Sequence, residues 1–176
     1  MKTIDKYLFQ AMDNYPYCLQ ETLESLEFSL SYNDKNTMAL CLYGRILSEQ
    51  LQDYEEAKLY FQDALSININ ALEVYPFYIQ TLIMNEDYEV ATKLIDFSLT
   101  IKGINKIEIL LKKALLQEIL FKYKESLETI KEIKKIATND YYKNQLDDTE
   151  KRIKTKMEKP KKGKKNKKLR KRRNEK

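Results

Sequence analysis

The chain has no histidine and no tryptophan, three glycines, three prolines and two cysteines in 176 residues. Without histidine it lacks the side chain that most often serves as a general base near neutral pH and most often ligates metals. Cys18 and Cys41 belong to no C-x-x-C pair, so neither a zinc site nor a redox dithiol is expected. They read as two small buried hydrophobes in a reducing compartment. The three glycines, Gly44, Gly103 and Gly163, stand too far apart to build G-x-x-x-x-G-K or G-x-G-x-x-G, which excludes the common phosphate loops. So few turn residues also disfavour an all-β fold. No apolar run reaches the ~18 residues of a membrane span. The charged start, Met1 to Lys6, is not followed by a signal-peptide apolar core. A soluble cytoplasmic protein without catalytic residues, metal or cofactor is expected.

What is present is a large apolar fraction, 43%, and an uneven charge. The net charge is +5. Residues 159–176 hold 12 Lys and Arg against one Glu, a net of +11, and the preceding 158 residues hold 20 against 26, a net of −6. An acidic body therefore carries a basic tail.

A motif recurs along the body. Asp53-Tyr54-Glu55-Glu56-Ala57 returns 34 residues later as Asp87-Tyr88-Glu89-Val90-Ala91, and 35 further on as Lys122-Tyr123-Lys124-Glu125-Ser126. Phe61, Ile95 and Ile130 each follow the small residue by four positions, and Ala64, Ser98 and Ile133 follow three later. Those spacings are the helical period, and they put one small and two further residues on a single face. A small residue there lets two helices approach closely. A weaker copy lies upstream in Glu21-Thr22-Leu23, Leu26, Ser29 and Leu30.

Tyr54, Ala57 and Phe61, with Tyr88, Ala91, Ile95 and Tyr123, Ser126, Ile130 in the later copies, resemble the second helix of a tetratricopeptide repeat. Leu40, Tyr43-Gly44 and Leu47 resemble its first helix, with one residue inserted between Gly44 and Tyr54. Tyr75, Tyr78, Ile79 and Leu82, then Leu110, Ala114 and Gln117, fill the same places, although Lys113 stands where the family has Leu. The resemblance covers about residues 15–137. It implies an all-α fold, a right-handed α-solenoid of about four helix-turn-helix repeats (2–34, 36–69, 70–103 and 104–137); the apolar stripe beyond it adds a capping helix at about 139–158, and the composition of 159–176, with Leu169 its one sizeable apolar residue, a disordered basic tail. The resemblance also implies a non-catalytic adaptor that binds a protein or peptide partner.

Local signals agree with helices. Asn36, Asp53, Asn105 and Asn139 suit N-caps. Pro76 requires a helix that starts close before it or bends. Gly103 suits a left-handed residue after a helix ending at Ile101. Tyr142, Leu146, Thr149, Ile153 and Met157 form one stripe of a last helix, opposite a charged face, and Pro160 ends it.

Three groups of residues could act. The resemblance places the first helix of each pair along an inner groove, which assigns Arg45, Glu49, Glu73, Phe77, Gln80, Met84, Lys112, Leu115 and Ile119 to a partner-binding surface. Phe77 and Met84 are its sharpest members, and a one-residue change of register would bury both. No run of Lys, Asn and Arg able to grip a partner's C-terminal carboxylate is found. The 13 tyrosines read first as inter-helix filler, and second as an aromatic groove. In the tail, Lys161, Lys162, Lys164, Lys165, Lys167, Lys168, Arg170, Lys171, Arg172 and Arg173 suit nucleic acid or an acidic partner. Binding there would be salt-sensitive and sequence-blind, and without stacking, because the tail holds no aromatic residue. The alternative function is thus a nucleic-acid- or ribosome-associated protein. The same cations also fit a bipartite nuclear-import signal, a mask over the acidic body, or a solubilising arm. Pentatricopeptide repeats share the period, but the Tyr-Ala-Phe pattern and acidic body argue against them.

Overall fold

The computed structural model describes residues 5–138 and 140–158. The described chain is all-helical: α1 (Lys6–Asn14), α2 (Leu19–Tyr32), α3 (Thr37–Ile46), α4 (Tyr54–Ile67), α5 (Val74–Met84), α6 (Tyr88–Ser98), α7 (Lys106–Ile119), α8 (Tyr123–Ile136) and α9 (Lys143–Glu158). Among the described residues, no helix is long and apolar enough to cross a membrane. The expected cap at Asn139, the stop at Pro160 and the ten tail cations named above lie outside the described residues.

Side-chain caps start four of these helices. Asp5 accepts from the Leu8 N–H at 3.0 Å, Asn36 from Ala39 at 3.3 Å, Asp53 from Glu56 at 3.1 Å and Asn105 from Glu108 at 3.4 Å. Pro76 is the third residue of α5, where its missing N–H would have no partner inside the helix anyway.

The residue inserted between Gly44 and Tyr54 is absorbed by a π-helical turn, Leu47–Leu51, which continues α3. The Gln52 N–H donates to the Leu47 carbonyl, five residues back, so the chain gains one residue without losing the ladder. Gln52 then adopts a left-handed φ of 57°. Glu86 and Phe121 do the same at 63° and 60°. These three non-glycine residues end α3 with its π turn, α5 and α7, and they recur at the spacing of the sequence motif. After each, the next N–H reaches back into the helix: Asp53 to Leu47 at 2.9 Å, Asp87 to Leu82 at 2.9 Å and Lys122 to Gln117 at 2.8 Å. Gly103 also has a left-handed φ, 92°. It lies further beyond its helix than expected, because α6 ends at Ser98, not Ile101, and a turn intervenes.

The described chain divides into two compact units, the first ending at Lys112 and the second starting at Lys113. In the first, α1 packs on α2, α3 on α4, and α5 on α6. Leu8, Ala11, Leu26, Ala39, Leu42 and Ile46 form its first core cluster. Asp5 ties three helices there. Besides capping α1, it accepts from Ser29 Oγ of α2 at 2.6 Å and from Asn36 Nδ2, ahead of α3, at 2.8 Å. Ala57, Phe61 and Ala64 of α4, and Ala91, Ile95 and Ser98 of α6, are all fully buried.

The second unit contains α8, α9 and the end of α7. Ser126 donates to the Ala114 carbonyl at 2.8 Å, and Thr129 to Gln117 Oε1 at 2.8 Å. Ile130, Ile133, Leu146 and Ile153 supply the apolar core. Met157, placed on the same stripe by its spacing, is exposed. A 3-10 turn, Asp140–Tyr142, precedes α9. Glu118 is only 5% exposed yet charged. Arg152 grips it in a fork at 3.0 and 2.7 Å, and Lys156 adds a third contact at 2.7 Å.

Candidate partner-binding face

In the first unit, polar and aromatic side chains link each odd-numbered helix to the next. Tyr15 follows α1, and its hydroxyl donates to Glu49 Oε2 on the π turn. Arg45 of α3 reaches the same carboxylate at 3.5 Å. The Arg45 guanidinium also lies 4.0 Å from the Phe77 ring centre on α5 and 5.0 Å from that of Tyr15. It is therefore held between two aromatic rings and one carboxylate. Its Nε is buried without a hydrogen-bond partner among the described residues. Further along, Lys112 of α7 donates to Gln80 Oε1 of α5 at 2.9 Å.

The π turn has a direct part in this arrangement. It carries Glu49, and it places Ser48 Oγ 2.8 Å from Thr81 Oγ1 of α5, a hydrogen bond buried between the helices. The turn thus fixes the height at which Glu49 meets Tyr15 and Arg45.

Electrostatics vary along the face. Burial raises the Tyr15 hydroxyl pKa, and the hydrogen bond to the Glu49 carboxylate raises it further, so the phenol stays protonated and donates. Burial lowers the pKa of the Lys112 ammonium, which nearby Glu108 and Glu49 only partly offset. Burial pushes the Cys41 thiol up to about 12; its Sγ lies 3.9 Å from the Glu73 carbonyl. That cysteine is an inert part of the core. Cys18, expected to be buried too, is exposed at the start of α2. It sits at the N-cap position of α2, where its side chain makes no capping hydrogen bond.

Of the nine groove residues read from the sequence, Arg45, Glu49 and Phe77 come together, as do Gln80 and Lys112. Glu73 and Met84 are exposed, Met84 by 52%. Leu115 and Ile119 are half-buried in the second unit. Tyr15 is the member of the cluster that sequence reasoning missed; it lies outside any helix, so helical spacing could not find it. The tyrosines divide. Tyr75 and Tyr78 are buried filler, Tyr43 stacks on Tyr60 with ring centres 4.5 Å apart, and Tyr17 and Tyr32 are exposed. Comparison with known proteins adds no relative: no protein-family model matches the chain, and no curated protein matches it.

Proposed function

We propose that the chain is a tetratricopeptide-like interaction module that docks a partner segment on the face carried by α1, α3, α5 and the start of α7. The observation that supports this most is the run of contacts Tyr15–Glu49, Arg45–Phe77 and Gln80–Lys112, in which each pair joins one odd-numbered helix to the next. Repeats stacked in register bring equivalent faces side by side and produce an extended surface for a peptide or helix. Met84 and the edge of Phe77 supply apolar contact there, and Met adapts to irregular partners. The first unit holds nine Lys and Arg against 17 Asp and Glu, a net of −8, so a partner with basic and apolar side chains fits it best. The test is capture from native extract with wild type and with Phe77→Ala/Met84→Ala. A discrete protein retained at high salt by wild type and lost by the variant supports the reading. Equal retention by both contradicts it.

A second reading is favoured by where the charge changes sign. Residues 113–158 hold 11 Lys and Arg against nine Asp and Glu, a net of +2, and residues 159–176 add +11. The second unit with its tail therefore carries +13, against −8 for the first. Association of that basic half with nucleic acid is the function this division supports. RNA recovered at low salt and released at high salt would match it.

A further inference from the structure

The turns that end α3 with its π turn, α5 and α7 share a backbone conformation but not a chemistry. They read Gln52-Asp53-Tyr54, Glu86-Asp87-Tyr88 and Phe121-Lys122-Tyr123. In the first two, a polar or acidic residue takes the left-handed position and an aspartate follows it. In the third, a bulky aromatic and a lysine stand in those places. A left-handed φ strains a phenylalanine more than it does a small polar residue. Phe121 gains nothing from burial in exchange, because it is 78% exposed. Strain retained on an exposed aromatic side chain points to use of that side chain.

Its surroundings point the same way. Phe121 and Tyr123 meet edge to face with ring centres 6.1 Å apart. Together with Met157, the lysines Lys122, Lys124 and Lys156 and one carboxylate, Glu125, they line an open cleft of about 480 Å³, wholly within the second unit. Lys156 is already paired with Glu118. Lys122 and Lys124 make no ion pair among the described residues. Lys122 also occupies the cap of α8, where a lysine cannot accept from the helix N–H groups as Asp53 does for α4. The cleft thus offers a stacking ring, unpaired cations and an uncapped helix start, in a unit whose tail adds +11.

We propose that this cleft binds single-stranded nucleic acid, with a base stacked on Phe121 and the flanking phosphates on Lys122 and Lys124. The inference rests on the nucleic-acid reading of the basic half and gives it a site. It supplies the stacking platform that the tail, having no aromatic residue, lacks. A base in a duplex is already stacked on both faces, so the ring selects single strands, and the lysines and tail act on phosphate of either kind.

The test is fluorescence anisotropy with the full chain and a labelled 12-nucleotide RNA of mixed sequence, single-stranded or annealed to its complement. Phe121→Asn removes the ring and suits the left-handed turn, so thermal stability should hold or rise. It should weaken single-strand binding about fivefold or more, leave duplex binding unchanged and leave the salt slope unchanged. Lys122→Gln/Lys124→Gln should reduce that slope by about 1.4. If Phe121→Asn binds the single strand as wild type does, the cleft proposal is overturned. Deleting residues 159–176 then decides the parent reading on its own, since loss of binding with the tail keeps nucleic-acid association without this site. Failure of the intact chain to bind either probe overturns both.

Discussion

Gly44 lies against the Phe61 ring so closely that a β-carbon at position 44 would stand 3.0 Å from two of the ring's atoms. The contact joins the first and second helices of one pair, and it accounts for both residues together. Phe61 is fully buried and is itself stacked on Tyr78 with ring centres 5.6 Å apart, so it has little room to yield. Helix propensity favours Ala over Gly by about 1 kcal/mol, and overpacking a buried contact costs about 1–3 kcal/mol. Gly44→Ala should therefore be destabilising by about 1 kcal/mol in urea unfolding. In a Phe61→Leu background the cost should vanish or reverse. An equal cost in both backgrounds would show that the ring is not what excludes the methyl group.

Asp5 should matter out of proportion to its place near the chain start. Its carboxylate caps α1 and accepts from both Ser29 and Asn36. Burial raises its pKa, but these hydrogen bonds outweigh that and leave it lowered. Asp5→Ala should cost about 2 kcal/mol, from the lost cap and two stranded polar partners. Ser29→Ala, which removes one partner only, should cost less. A neutral Asp5→Ala would contradict the three-helix tie.

Glu118 predicts an acid-sensitive second unit. Burial raises its pKa, but hydrogen bonds from Arg152 and Lys156 and their charges outweigh that and leave it below the ordinary 4.5. A carboxylate with a depressed folded-state pKa contributes stability that is complete above the unfolded value and is lost as pH falls through the folded one. Glu118→Gln should thus destabilise by about 1–2 kcal/mol at pH 7. The gap to wild type should close as pH falls below 4.5. A gap that stayed constant down to pH 3 would mean the fork to Arg152 adds nothing to the ionised form.

Much of the helix layout was legible because it rests on short-range signals. Asn36, Asp53 and Asn105 cap where their side chains can reach a backbone N–H three residues on, and the 34-residue motif marks the buried face of α4 and α6. The left-handed residues were not legible. Gln52, Glu86 and Phe121 share no residue type, and the conformation is imposed by the turn that follows each helix. The inserted residue after Gly44 could be counted from sequence, but its form as a π turn depends on Ser48 meeting Thr81 of another helix. The candidate face was half legible. Spacing found Arg45, Glu49 and Phe77, whereas Tyr15 joins them from outside any helix. Glu118 was missed because its partners lie 34 and 38 residues away on α9, beyond any local pattern.

In the function proposed above, partner binding resides on the odd-numbered helices of the first unit. The most direct measurement compares capture from native extract at high salt by three proteins: wild type, Phe77→Ala/Met84→Ala, and a control carrying Leu59→Ala on exposed α4 surface. Circular dichroism confirms that each is folded. One discrete protein should be retained by wild type and by the Leu59 control and lost from the Phe77/Met84 variant. Equal retention by all three, or loss from the Leu59 control alone, would contradict that function.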